Sequence, residues 1–212
     1  MKAPVLDAEA RAALLQDVAK PSPGPLEILV EVKAISLNPI DPLYVARPLG
    51  SSGRIVNSDF AGIVSATGQE VPSSGGLPLG TLVAGFLQGA CSVNPRPGAF
   101  AKYLVVPWDL VWTVPDAVSL EIAAGVSLVA LTAAQSIWYR LGMPGPLASG
   151  QHETGTPNYR SPWSGCRVVD TVDVLVYGAS TSVGLYAAQM ARLSTQASGK
   201  SVKLYGAASK AR

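Results

Sequence analysis

Along residues 26–34 apolar and polar positions alternate, with Ile28, Val30, Val32 and Ala34 on one face and Glu27, Glu31 and Lys33 on the other. That period of two predicts a half-buried strand. Pro21, Pro23, Gly24 and Pro25 precede it and Asn38-Pro39 follows, all residues that interrupt regular structure. Shorter apolar runs at 62–66, 82–86 and 100–106, set between glycine- and proline-rich stretches, predict further strands, so the first half reads as a small, turn-rich β domain. Ser119 is placed to cap a helix, and residues 120–141 are rich in alanine and leucine without proline. Gly125 divides that stretch into two helices or a kinked one. Residues 142–170, dense in Pro, Gly, Ser, Thr and Asn, have no periodicity and read as an exposed insertion loop.

The pattern changes again at Thr171. Val172, Val174, Leu175, Val176 and Tyr177 make a continuous apolar run, which predicts a strand buried on both faces of a parallel sheet. Gly178-Ala179-Ser180-Thr181-Ser182-Val183-Gly184 reads as a tight turn. Val183, Ala187, Met190 and Leu193 then recur at helical spacing, and Val202, Leu204 and Tyr205 begin a second strand. Strand, turn, helix and strand together open an α/β nucleotide-binding fold, which needs about six parallel strands to enclose a dinucleotide. Two are predicted here, so the expectation is an incomplete fold of that class.

Composition narrows the function classes. Only 14% of the 212 residues are charged and the formal net charge is +2, which gives no broad basic surface for a nucleic acid. The apolar stretches at 122–131 and 172–177 are too short or too interrupted to cross about 30 Å of hydrocarbon. Met1-Lys2-Ala3-Pro4-Val5-Leu6-Asp7 lacks the apolar run of a secretory signal, and two distant cysteines form no disulfide framework. The expectation is a cytoplasmic, reduced protein, monomeric or weakly oligomeric, with neither nucleic-acid nor membrane partners.

The candidate chemistry lies at the strand-to-helix turn. Gly178, Ala179, Ser180 and Ser182 are short enough for the backbone to approach a diphosphate, and the helix starting near Ser182 turns its N–H groups and positive dipole end toward it. Thr181 and Ser182 stand where glycines would strengthen the match to G-x-G-x-x-G, so a dinucleotide cradle and an ordinary tight connection both remain open on this motif. The second strand leads into Ser209-Lys210-Ala211-Arg212 rather than the Asp or Glu of an NAD site. A hydroxyl and two cations suit a 2′-phosphate through charge-assisted hydrogen bonds; solvated basic residues are the competing reading. No metal site is expected, because the single histidine, His152, sits in the insertion and Cys91 and Cys166 have no C-x-x-C partner. The same histidine is poorly placed for a Ser-His-Asp or Cys-His pair, and no G-x-S-x-G elbow occurs. Asp41, Tyr44, Asp59 and Thr132 are the remaining polar candidates, each of them also readable as a turn-forming or structural residue.

Taken in order, these segments resemble zinc-free members of the medium-chain dehydrogenase/reductase superfamily. Asn38-Pro39-Ile40-Asp41 is similar to the N-P-x-D turn of its quinone and enoyl reductases, and Ser58-Asp59-Phe60-Ala61-Gly62-Ile63-Val64 to their G-x-D-x-A-G-x-V segment. Gly80 to Phe86 resembles G-D-x-V-x-G, and Pro97 to Tyr103 the G-A-F-A-x-Y strand. Asn57, Thr81 and Leu43 depart from that pattern, standing where relatives carry glycine, aspartate and, in a near relative, lysine. The insertion, Leu131-Thr132-Ala133-Ala134 and Tyr177 to Thr181 carry a further likeness to fungal trans-acting enoyl reductases of polyketide biosynthesis.

The resemblance implies an α/β chain with a GroES-like β domain over 1–118 and, over 119–212, the first part of a Rossmann domain with the remainder truncated. It further implies NADPH contacts at Ile40, Asp41, Pro42, Leu43, Gly178, Ser180, Thr181, Ser182, Val183, Ser209, Lys210, Ala211 and Arg212. An acyl pocket would be lined by Thr132, Ala133, Ala134, Gln135, Ser136, Ile137, Trp138 and Tyr139, with Thr132 as the catalytic candidate at the thioester carbonyl. The implied reaction reduces the α,β-double bond of an enoyl chain on an acyl carrier protein by hydride transfer from NADPH. A quinone or alkenal reductase, and a truncated inactive remnant or binding module, are the alternatives.

Overall fold

The N-terminal residues form a hairpin, β1 (Lys2–Asp7) and β2 (Ala12–Asp17), paired antiparallel from Lys2↔Asp17 to Asp7↔Ala12. Its turn is closed by the Asp7 carboxylate, which accepts the N–H groups of Glu9 and Ala10 at 3.1 and 3.0 Å, and by Arg11 in the left-handed region at φ 53°. This is a computed structural model, and it describes residues 1–73, 77–91, 96–143, 171–198 and 201–209. Two compact units divide it, Met1–Leu128 and Val129–Arg212.

The alternating segment of the sequence is the spine of the first unit: β3 (Glu27–Ser36), followed by a short helix α1 (Ile40–Ala46). β4 (Asp59–Thr67), β5 (Leu82–Phe86), β6 (Tyr103–Pro107) and β7 (Val111–Thr113) complete a five-stranded antiparallel sheet in the order β6-β3-β4-β5-β7. Side chains from β3, β4, β5 and β6 meet in one core, Ile28, Val30, Phe60, Val64, Val83, Leu104 and Val106, with Val111 of β7 packed against it. Two register shifts interrupt the β3–β4 pairing, at Leu29/Val30 and Val32/Ala34, before the strand leads into α1. The predicted strands at 62–66, 82–86 and 100–106 correspond to β4, β5 and β6.

The alanine-rich stretch breaks at Gly125, as its sequence suggested. α2 (Leu120–Ala124) starts at Ser119, whose side chain accepts the Ile122 N–H, and α3 (Ser127–Ala134) runs on into a π-helical turn, Gln135–Arg140. Ala123 and Ala124 of α2 bury against Ala61, Ala84 and Val114, where small side chains let helix and sheet approach closely.

In the second unit β8 (Thr171–Tyr177), α4 (Ser182–Ser198) and β9 (Ser201–Ala207) form a parallel strand–helix–strand, in register from Thr171↔Ser201 to Tyr177↔Ala207. Ala187 and Ala191 of α4, with Ala133, Ile137 and Met143, cover Val172, Val174 and Val176. Trp138 ties the π-helical turn to α4 by donating its indole N–H to Ser194 Oγ at 3.1 Å. Burial on both faces of β8 is not what the structure shows. Among the described residues, the apolar partners of β8 lie on its valine face, and Leu175 and Tyr177 point the other way, 67% and 90% exposed.

Candidate functional site

In the first unit, the turn after β3 and the start of β4 bring five buried polar side chains together: Asn38, Asp41, Asn57, Ser58 and Asp59. Asp41, at the head of α1, accepts the backbone N–H of Asn38 at 2.7 Å, Asn57 Nδ2 at 3.0 Å and the Ser58 hydroxyl at 3.0 Å. Asp59 is 0% exposed; it accepts Asn38 Nδ2 at 2.8 Å and the Leu128 N–H, in the first turn of α3, at 3.0 Å. Burial dominates both acids. It pushes the Asp59 carboxyl up to about 6 and raises Asp41 as well, with the donated hydrogen bonds opposing the shift in each case.

Asn57 supplies the local reason for this geometry. It sits at φ 74°, a left-handed conformation in which asparagine is among the few tolerated side chains, and its amide donates to Ser36 O at 2.9 Å as well as to Asp41. It thus takes the place of a glycine and uses its side chain to link β3 to α1.

Of the residues implied for cofactor contact in this unit, Asp41 has its carboxylate engaged internally, Ile40 is half-buried, and Pro42 and Leu43 are exposed. Tyr44 lies on the same helix, its phenol held above the ordinary range chiefly by a hydrogen bond to Cys91. Among the described residues no group of three or more His, Cys, Asp or Glu is placed to hold a metal ion.

In the second unit, β8 passes into α4 through Gly178, which has φ 81°, a conformation that favours glycine. Thr181 is the N-cap of α4. Its hydroxyl donates to Gly178 O at 2.8 Å and accepts the Gly184 N–H at 3.1 Å, closing the turn on itself. Gly184 has no room for a side chain, since a Cβ there would lie 2.3 Å from Gly178 O. This is the close helix-to-strand packing that the last glycine of a dinucleotide motif provides.

The N–H groups of Gly178 and Ala179 both donate to Ala207 O, at 2.8 and 2.9 Å, fastening the turn to the end of β9. The donors left for a ligand are therefore those of the first helical turn, around Ser182 and Val183, with exposed Ser180, Thr181 and Ser182 at the rim. A diphosphate fits this donor set: a 17-residue helix aims its N-terminus at a rim of short, exposed side chains. Ser209 is exposed beyond β9; Lys210, Ala211 and Arg212 lie outside the described residues, as do His152 and Cys166.

The segment implied as an acyl wall alternates between core and solvent. Ala133 and Ile137 are buried in the second unit's core, Ala134 and Trp138 are half-buried, and Thr132, Gln135, Ser136 and Tyr139 are exposed. Ser136 donates its hydroxyl to Thr132 O at 2.9 Å.

What residue-by-residue reading missed is the union of the two acidic motifs. Asn38 to Asp41 and Asn57 to Asp59 looked like separate turns, and only the β3–β4 pairing, Ser36↔Asp59, makes them one cluster. The roles of Thr181 as cap and of Ala207 as anchor also depend on three-dimensional closure.

Comparison with known proteins agrees with this architecture. Residues 24–116 match the alcohol dehydrogenase GroES-like domain. The chain is 35% identical over 194 residues to the trans-enoyl reductase resD of Aspergillus sclerotiorum, covering 92% of this chain and 52% of that protein. It is 33% identical over 193 residues to the trans-enoyl reductase traG of Penicillium crustosum, covering 89% and 48%. A solved alcohol dehydrogenase superfamily protein from Novosphingobium aromaticivorans superposes with a TM-score of 0.69 at 25% identity, over 97% of this chain and 52% of that one. The chain thus spans about half the length of the curated relatives it matches. With its GroES-like sheet and the opening of a Rossmann-like sheet after it, the chain carries the alcohol dehydrogenase GroES-like domain, shares the fold of medium-chain dehydrogenase/reductase structures and is homologous, over the part it spans, to fungal trans-enoyl reductases.

Proposed function

We propose that this chain works as part of an NADPH-dependent, trans-acting enoyl reductase that reduces the α,β-double bond of a carrier-protein-bound polyketide intermediate. The observation that carries the reading is the β8–α4 turn. Gly178 in the left-handed region, Thr181 capping the helix and Gly184 packed against Gly178 O leave a helix N-terminus open to a diphosphate, within a chain homologous to trans-enoyl reductases.

On this reading Ser180, Thr181, Ser182 and Val183 line the diphosphate. Their contribution is binding and orientation, through backbone N–H groups at the start of α4 and short side chains that keep the approach open. The nicotinamide, when bound, supplies the hydride. Ser209 to Arg212 remain the proposed partners of a 2′-phosphate, Ile40 to Leu43 further cofactor contacts, and residues 132–139 the proposed acyl wall. Exposed Thr132 is the residue proposed to meet the thioester carbonyl.

The test is NADPH oxidation at 340 nm with three substrates: a crotonyl-type thioester on an acyl carrier protein, the same acyl group on a small thiol, and a quinone. Oxidation that depends on the enoyl thioester is the expected result. Turnover of the quinone alone, or no saturable response to NADPH in intrinsic tryptophan fluorescence, overturns the assignment.

A further inference from the structure

One side of the first unit carries a concentration of lysines that the nucleotide turn and the buried acid cluster do not use. Lys20 Nζ lies 4.0 Å from the centre of the Tyr103 ring, and Lys102 Nζ lies 5.6 Å from it. Tyr103 pairs in register with Glu31, and Lys33 Nζ is 2.8 Å from the Glu31 carboxylate. Lys33, Lys102 and Lys20 together hold that carboxyl below its usual range, the Lys33 hydrogen bond being the largest influence. Lys2, paired with Asp17 at 3.0 Å, shares with Lys102 the rim of an adjoining open depression of about 390 Å³ floored by Pro4, Ile35, Ala99, Phe100 and Ala101.

Four lysines thus face two carboxylates in a patch whose local excess matches the +2 of the whole chain. Neither Lys20 nor Lys102 takes part in an ion pair among the described residues. An apolar floor with a cationic rim has the composition of a protein docking surface rather than of a small-molecule pocket, which would enclose its ligand. The charge selects an acidic partner: unpaired lysines raise the local concentration of an anionic surface and steer its approach.

We propose that this patch, Lys20, Lys33 and Lys102 beside the Pro4–Ile35–Phe100 depression, is the docking surface for an acidic carrier protein. The identity of the partner rests on the reductase reading above. The surface itself rests on the placement of the lysines, and the two are separated by the test.

The experiment compares the wild-type protein with Lys20→Glu/Lys102→Glu, both sites being at the surface, and with Lys203→Glu on β9 as a charge-reversal control outside the patch. Binding of a fluorescently labelled holo-carrier protein is read by anisotropy at low and high salt, and turnover is measured with carrier-borne and small-thiol enoyl substrates. The double variant is expected to weaken carrier binding by at least about tenfold and to lose most of its salt dependence. KM for the carrier-borne substrate should rise in step, with the small thioester and the Lys203→Glu control unaffected. Equal effects on both substrates, wild-type carrier binding by the double variant, or preferential binding of phosphatidylserine vesicles to this patch overturns the docking surface. Lysine-dependent carrier binding without reduction of either thioester upholds the surface and overturns the reductase reading instead.

Discussion

Asp59 is an acid that the fold fully buries and supplies with two hydrogen-bond donors, one from Asn38 and one from the first turn of α3. A carboxylate at a helix N-terminus is favourable, yet here burial outweighs that gain and the ionised form is disfavoured. The sign of the linkage follows. Between the unfolded value of 3.8 and the folded value of about 6, the native state holds a proton that the unfolded chain has released. Stability from this group therefore falls as pH rises through that window and stays reduced above it, by something on the order of 3 kcal/mol. Urea unfolding of wild type and Asp59→Asn from pH 4 to 7 should show a steeper decline in the wild type; parallel curves would mean that Asp59 is ionised in the native state throughout. Asp41 is shifted in the same direction and leaves a residual slope in the variant. None of this was legible from Asp41 or Asp59 singly, because an acid in a Pro-containing turn and an acid before a strand are usually solvated. The motif pair N-P-x-D and S-D-x-A-G pointed to a family, but their convergence needed the register of β3 against β4. The left-handed Asn57 was visible only as a departure from glycine.

The strand–turn–helix at β8 and α4 was read from sequence with bounds close to those observed, because hydrophobic period, small turn residues and a capping hydroxyl all point to one local answer there. The hairpin β1–β2 was not legible in the same way. Its second strand, Ala12–Asp17, is mostly exposed and built from alanine, leucine and glutamine, so neither burial period nor β propensity marks it, and pairing with β1 decides its conformation. α1 was hidden behind two prolines that read as a rigid turn, although Pro39 sits at its N-cap, where a missing N–H costs nothing. The α4 start yields two separable expectations. Gly184→Ala forces a methyl against Gly178 O, so helix and turn must part, with a loss of about 1–3 kcal/mol in denaturant unfolding and weakened NADPH binding. Thr181→Val keeps the shape of the side chain but removes both hydrogen bonds of the cap, at a cost of about 1 kcal/mol, and Thr181→Ser should recover most of it. If Gly184→Ala and wild type bind NADPH equally, the turn is a connection and not a cradle.

Across the molecule, the two units differ in how completely their sheets are covered. The five-stranded sheet closes its inner face around Phe60 and its neighbours and lays α2 against β3 and β4, whereas among the described residues the β8–β9 sheet is covered on the Val172–Val174–Val176 face alone. Its opposite face presents Leu175, Tyr177 and Tyr205, with Asp173 bonded to the Tyr205 phenol and raising it. The sequence reading of β8 as doubly buried followed from its run of apolar residues, and the composition was correctly read; what it could not supply is the second layer that such a run is built to meet. Side chains of this size left in water favour association. A polypeptide of these 212 residues should accordingly bind a hydrophobic dye and sediment faster as its concentration rises. Leu175→Lys/Tyr177→Lys should abolish both behaviours while leaving thermal unfolding within a few degrees of wild type, because neither side chain belongs to the core of its unit. A wild-type polypeptide that stays monodisperse and dark in the dye assay would show that other parts of the chain already cover this face.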